Sequence, residues 1–279
     1  MYGESVSPLM MLLPMVIYPL VSALILGFII FKLKQAGKTQ AVYLLAPALI
    51  WFTWLTAFQG IHTRWSFPPA QAMDWLALMP LVPALAIRVP HHIRMAGFGV
   101  ALVLSFAVVA QPIVGRMSII DLISHTIGGL LVGGIAIMAS DRQSNSFRFP
   151  VSLITMMALS AVVIGISSSL SLAQMVGGLC ASLGGIWLLA RVITFQERTL
   201  FAITQGAVAV WLMVLAYAHY YADVSIWALL LLALPILIKW PRQSSDTQPW
   251  WKALSTTLML SLLPGLLALW LVWPAQSLF

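Results

Sequence analysis

Long apolar runs, nearly free of charge, decide what this chain can fold into. Ten stretches of mainly apolar residues follow one another, at 8–31, 41–60, 73–88, 95–113, 119–139, 150–168, 172–190, 200–221, 224–239 and 253–273. A helix needs about 20 such residues to cross a bilayer. Inside hydrocarbon, a helix satisfies its own backbone hydrogen bonds, whereas a lone strand or loop does not. Charged residues are 8% of the 279 residues and hydrophobic ones 61%, against roughly 25% charged in an average soluble domain. The 14 basic and 7 acidic side chains cannot cover the surface of a soluble protein of this size. Disorder is excluded as well, because it requires low hydrophobicity. The reading is an all-α polytopic membrane bundle of about ten transmembrane helices, a single transmembrane domain over residues 1–279. The third and ninth spans are the short ones, interrupted by Pro80, Pro83 and Pro235.

The positions of the basic residues set an expected topology. Lys32, Lys34 and Lys38 follow the first span, and Arg88 and Arg94 the third. Arg142 and Arg148 follow the fifth, Arg191 and Arg198 the seventh, and Lys239, Arg242 and Lys252 the ninth. Only Arg64 and Arg116 fall in the alternate loops. Cytoplasmic loops carry the Lys and Arg excess, so both termini are expected on the outer side of a plasma (inner) membrane. The first residues, MYGESVSP, contain no Lys or Arg, which argues for an uncleaved first helix rather than a secretory signal. The net charge of +7 is then a topology signal and an attraction to anionic membrane lipids. It is not a nucleic-acid footprint, because no basic stripe or aromatic platform accompanies it.

Trp65, Trp75, Trp227 and Trp273 lie near expected outer ends, and Trp240, Trp250 and Trp251 near an inner end. Such placement suits headgroup anchoring. Small residues cluster in the fifth span (Gly128, Gly129, Gly133, Gly134) and the seventh (Gly177, Gly178, Ala181, Ser182, Gly184, Gly185). Because small residues let helix backbones approach closely in lipid, both helices are expected to be central.

Ionisable groups near a span are costly and mark candidate sites. They gather toward the outer side: Asp74 opens the third span, Asp121 the fifth with His125 one turn deeper, and His219 closes the eighth with Asp223 one turn beyond. The Asp121–His125 and His219–Asp223 spacings of four place each pair on one helix face. Each pair is a candidate for proton relay or for a divalent cation, or is simply an imidazole oriented by its carboxylate. His91 and His92 are read as solvated loop residues, and Tyr217, Tyr220 and Tyr221 as interface anchors. Gln111, Gln174 and Gln205 are read as inter-helix hydrogen-bonding residues. Metalloprotease, nucleotide-loop and nucleophile-elbow motifs are absent, and the Ser167–Ser169 run lacks an oxyanion-hole signal. No catalytic residue or cofactor is assigned. Cys180 is the sole cysteine, so no intrachain disulfide or thiolate metal cluster can form.

Residues 105–134 read SFAVVAQPIVGRMSIIDLISHTIGGLLVGG. With Asp74, the set Gln111, Gly115, Arg116, Asp121 and Gly128 resembles the VanZ-like membrane proteins. The resemblance covers the third to fifth spans. It departs at Leu78, Val108 and His125, where the family pattern has His, Glu and Asn. That family is associated with the cell envelope and with glycopeptide resistance, so the resemblance implies an outer-facing polar site.

Together these readings point to an envelope protein that binds a lipid-linked or amphiphilic ligand at its outer face through Asp74, Arg116, Asp121 and His125. A non-catalytic subunit contacting membrane-protein partners is one alternative. A secondary transporter for protons, metal or a small solute, using His219 and Asp223, is the other.

Overall fold

In the computed structural model, residues 8–86, 89–112, 114–116, 118–143, 148–167, 169–239 and 250–273 are described. Arg88, Ser168, Trp240, Arg242 and Asp246, and the side chains of Arg116 and Trp250, lie outside the described residues. Every regular element among the described residues is helical. Among the described residues, eight helices are long and apolar enough to cross a membrane. They are α1 (Met10–Gln35), α2 (Thr39–Ile61), α4 (His91–Ala110), α5 (Ile119–Gln143), α6 (Arg148–Ser167), α7 (Leu170–Leu189), α8 (Glu197–Ala222) and α10 (Trp250–Val272). Two shorter helices, α3 (Leu81–Ala86) and α9 (Ile226–Leu237), occupy the third and ninth apolar runs. The chain is therefore compatible with an integral membrane protein.

Proline explains the irregular helices. It lacks the N–H and crowds the preceding turn. Pro14 falls in a π-helical turn of α1, Pro47 in a 3-10 step of α2, and Pro235 in the 3-10 end of α9. The third run is broken most: a 3-10 turn over Ala72–Ala77 leads through Pro80 to α3. Carbonyls left free there need partners. The indole of Trp54 donates to Leu76 O at 2.8 Å, and that of Trp51 to Ala77 O at 2.9 Å. Irregular backbone of this kind is tolerated at depth when neighbouring helices re-satisfy it. This broken segment leads from the end of the bundle that holds His62 to the end that holds His91 and Asp141.

The core sits around α7 and α8. In α8, 78% of the most apolar window is buried, against 11% in α5. Glycine decides the close approaches of α7. A methyl at Gly178 would lie 2.8 Å from the Ala57 Cβ of α2, and one at Gly185 would lie 3.0 Å from the Ala23 Cβ of α1. The expectation of a central α7 therefore holds, but that of a central α5 does not. In α5, Gly129 and Gly133 receive Phe106 and Leu102 of α4, while Ile119, Ile120, Ile123, Ile127, Leu131 and Ile135 on the other face are exposed. The glycines admit two side chains from one neighbour rather than the backbones of several.

Both ends of the bundle are tied by polar contacts. At one end Lys34 Nζ donates to Thr194 O, Asp141 meets His91 at 3.1 Å and Arg94 at 3.7 Å, and Gln143 Nε2 donates to Ile236 O. His91 is exposed, as a solvated residue would be, but it begins α4 and contacts Asp141 where a loop was expected. At the other end lie the His62–Asp74 contact and the α4–α5–α8 cluster described next. Trp75, Trp227, Trp251 and Trp273 are exposed, as anchors would be.

Candidate functional site

A cavity of about 560 Å³ lies between α4, α5, α8 and α9, with α3 at its back. The volume falls within the ~300–1,000 Å³ usual for small-molecule sites. Its walls are apolar over most of their length. Its polar groups concentrate at one end, where Ser124 and His125 of α5 meet His219 and Tyr220 of α8. No Lys or Arg is among its lining residues.

The two histidines come together across α5 and α8. Their rings stack with centroids 5.5 Å apart and planes 15° from parallel. His125 Nδ1 is 3.2 Å from the Tyr220 hydroxyl, and His219 Nδ1 is 3.0 Å from Val224 O. The second contact depends on how α8 ends. Asp223 adopts a left-handed conformation (φ 49°), and Val224 N–H turns back to Ala218 O at 3.1 Å. The left-handed residue stops the helix, and the turn brings the Val224 carbonyl to His219 Nδ1. Neither Nε2 atom bonds to another described residue.

The expected intra-helix pairs are replaced by other contacts. Asp121 accepts from Ser118 Oγ at 2.6 Å, and its own N–H donates to that oxygen at 3.1 Å. This is a reciprocal cap on the start of α5, where a carboxylate is also favoured by the helix dipole. The Ser118-x-x-Asp121 spacing is its sequence signal. Asp223 is exposed and serves as the cap of α8. Asp74 is brought to neither histidine. It is 2% exposed and accepts from Ala70 N–H, Gln71 N–H and Ser66 Oγ, with His62 Nε2 at 3.1 Å. Asp74 thereby holds the loop between α2 and α3 in shape. A twelve-residue separation across that loop offered no signal for the His62 contact. The side chain of Arg116 lies outside the described residues; its backbone stands in a 3-10 turn, Val114–Arg116, just before α5.

The aromatic cluster also differs from headgroup anchoring. Tyr217 is buried, Tyr220 meets His125, and Tyr221 Oη donates to Val109 O at 2.8 Å. Tyr220 thus ties α8 to α5, and Tyr221 ties it to α4. Gln205 Nε2 donates to Ile137 O at 3.3 Å, the expected inter-helix bond. Ser167 bonds back to Val163 O, and Ser169 caps α7 through Leu172 N–H. No group of three or more His, Cys, Asp or Glu that could hold a metal ion is present among the described residues.

The cavity opens sideways. At one end α5 and α9 are pinned by the Gln143–Ile236 bond. Toward the histidines, Ser124, Gly128, Ile226 and Leu230 line the cavity and are exposed. A methyl added at Gly128 would meet nothing within 4 Å. The mouth thus lies between α5 and α9, on a surface of exposed isoleucines and leucines.

Comparison with known proteins returned no matching family model, no matching curated protein and no matching solved structure.

Proposed function

We propose that this protein is an integral membrane protein of the plasma membrane that holds an amphiphilic, lipid-like ligand in the cavity between α4, α5, α8 and α9. In this reading the chain crosses the membrane ten times with both termini outside, and the histidine pair sits at the outer end. The carrying observation is the sideways mouth between α5 and α9. A ligand reaching the cavity from that side comes from the hydrocarbon layer rather than from water. The length agrees. His125 and Ile137 both line the cavity and are twelve residues apart on one helix, or about 18 Å at ~1.5 Å per residue. One leaflet of a ~30 Å hydrocarbon core is about 15 Å thick. An acyl chain from the outer leaflet would fill the cavity with its head at the histidines. The stretch that resembles VanZ-like proteins forms the α4–α5 wall, and we propose that Arg116 and Asp121 stand at the rim of the same end.

Native mass spectrometry of protein extracted in a gentle detergent tests this reading. The expected result is a retained lipid-sized species, lost in Gly128→Phe, whose ring enters the open mouth. A protein with no retained amphiphile, or with retention unaffected by Gly128→Phe, refutes the reading. A second polypeptide at constant stoichiometry in place of a lipid would establish the complex-subunit alternative.

A further inference from the structure

Resting on the lateral-cavity reading above, we infer that the ligand head is an uncharged polyol, so that the ligand is a single-chain lipid of the monoacylglycerol kind. The hydrogen-bonding inventory at the histidine end carries this. Val224 O can only accept, so His219 Nδ1 bears a hydrogen. In an uncharged imidazole the other nitrogen, Nε2, is then an acceptor. His125 Nδ1 and the Tyr220 hydroxyl share one hydrogen. If Nδ1–H donates, Nε2 accepts and the phenol hydrogen is free. If the hydroxyl donates, Nε2–H is free and the phenol oxygen accepts. Either way the pair presents one donor and one acceptor. Ser124 Oγ donates to Asp121 O at 2.9 Å, and its oxygen remains an acceptor. The end of the cavity therefore presents three acceptors and one donor.

A phosphate or carboxylate head offers only acceptors and would leave those three groups unmatched. A diol offers two donors together with acceptors, and satisfies two of the three acceptors as well as the donor. The charges agree with this. Neither imidazole contacts a carboxylate, because Asp121 is engaged with Ser118 and Asp223 is turned into the helix cap. Tyr217, Tyr220, Tyr221, Asp121 and Asp223 are the titratable groups within four residues of the pair on α5 and α8 and at the end of α8. The cavity-lining residues of α3, α4 and α9 are not titratable. No Lys or Arg lines the cavity to neutralise an anionic head. A zwitterionic head would bring its phosphate to the same acceptors.

Three diazirine-bearing probes sharing one acyl chain test the inference on purified protein in phosphatidylcholine nanodiscs. They are a monoacylglycerol, the corresponding fatty acid and the deoxy analogue of lysophosphatidic acid that lacks the glycerol hydroxyl. The expected result is that the monoacylglycerol labels peptides of α5, α8 and α9 at about tenfold lower concentration than either anionic probe. His219→Phe keeps a ring in the stack and removes Nε2, and Ser124→Ala removes the hydroxyl acceptor. Each should shrink the preference about two- to tenfold, the size of one hydrogen bond, without abolishing labelling. Should His219→Phe not yield folded protein, Ser124→Ala carries the test alone. Equal labelling by all three heads, or preference for an anionic one, overturns the head assignment and leaves the lateral cavity standing. Labelling that Gly128→Phe does not reduce overturns both.

Discussion

Gly178→Ala is a direct test of how α7 is seated. The added methyl carbon would lie 2.8 Å from the Ala57 Cβ, with Ile61 Cδ1 at 3.6 Å and Met15 O at 3.8 Å on its other sides. Carbon atoms in ordinary contact stand about 3.5–4.0 Å apart, so α7 and α2 must separate by about 1 Å. Neither side chain can swing away, since Ala57 has no rotamer and is fully buried. Overpacking of this kind costs about 1–3 kcal/mol. Against it, alanine in a helix gains about 1 kcal/mol over glycine. Gly184→Ala on the same helix isolates that gain, because a methyl there meets nothing within 4 Å. The two variants should therefore differ by about 1–3 kcal/mol, Gly178→Ala being the less stable. Sodium dodecyl sulfate titration in mixed micelles, followed by tryptophan fluorescence, measures the difference. If the two curves coincide, the close α2–α7 crossing is wrong.

Asp74→Ala should lower stability by about 3 kcal/mol, because it leaves two backbone N–H groups, Ser66 and His62 without their acceptor. Asp74→Asn keeps an acceptor and should cost less in the same titration. Ser152 and Ser261 hydroxyls meet at 2.8 Å between α6 and α10. A double-mutant cycle to alanine should give a coupling of about 0.6 kcal/mol, and no more than about 1.7 kcal/mol. Topology is checked in a Cys180→Ala background, which removes the sole native thiol. An impermeant maleimide added to intact cells should label Ser66→Cys and Ser225→Cys but not Lys38→Cys or Arg191→Cys; the reverse pattern inverts the expected orientation.

Much of the fold was legible from one physical requirement. A backbone in hydrocarbon must bond to itself, so apolar runs of span length had to be helices. The runs at 8–31, 41–60 and 150–168 became α1, α2 and α6 within a few residues. The prolines marked the third and ninth runs as the short ones, and those are the two whose helices fall below span length. Less was legible where a residue type serves two purposes. Glycine at spacing four signals close packing, but the same pattern lets α7 approach α1 and α2 closely, whereas the α5 glycines only admit two side chains of α4. Spacing also misled for the acids. Asp121 and His125 share a helix face, yet the Asp121 carboxylate turns to the Ser118 hydroxyl, whose oxygen accepts from one of the N–H groups that a helix start leaves free.

What the sequence by itself determined is therefore the all-helical class of the fold and where its apolar runs lie. Solvation energy is a property of each segment, and it can be summed along the chain without knowing its neighbours. Only the tertiary structure decided that His125 meets His219 and Tyr220, that Asp74 belongs to His62, and that a cavity opens between α5 and α9. Those facts depend on which helix faces meet. In a bundle where every helix is apolar on most sides, the hydrophobic pattern does not choose among those faces. Side-chain shape and a few hydrogen bonds make that choice.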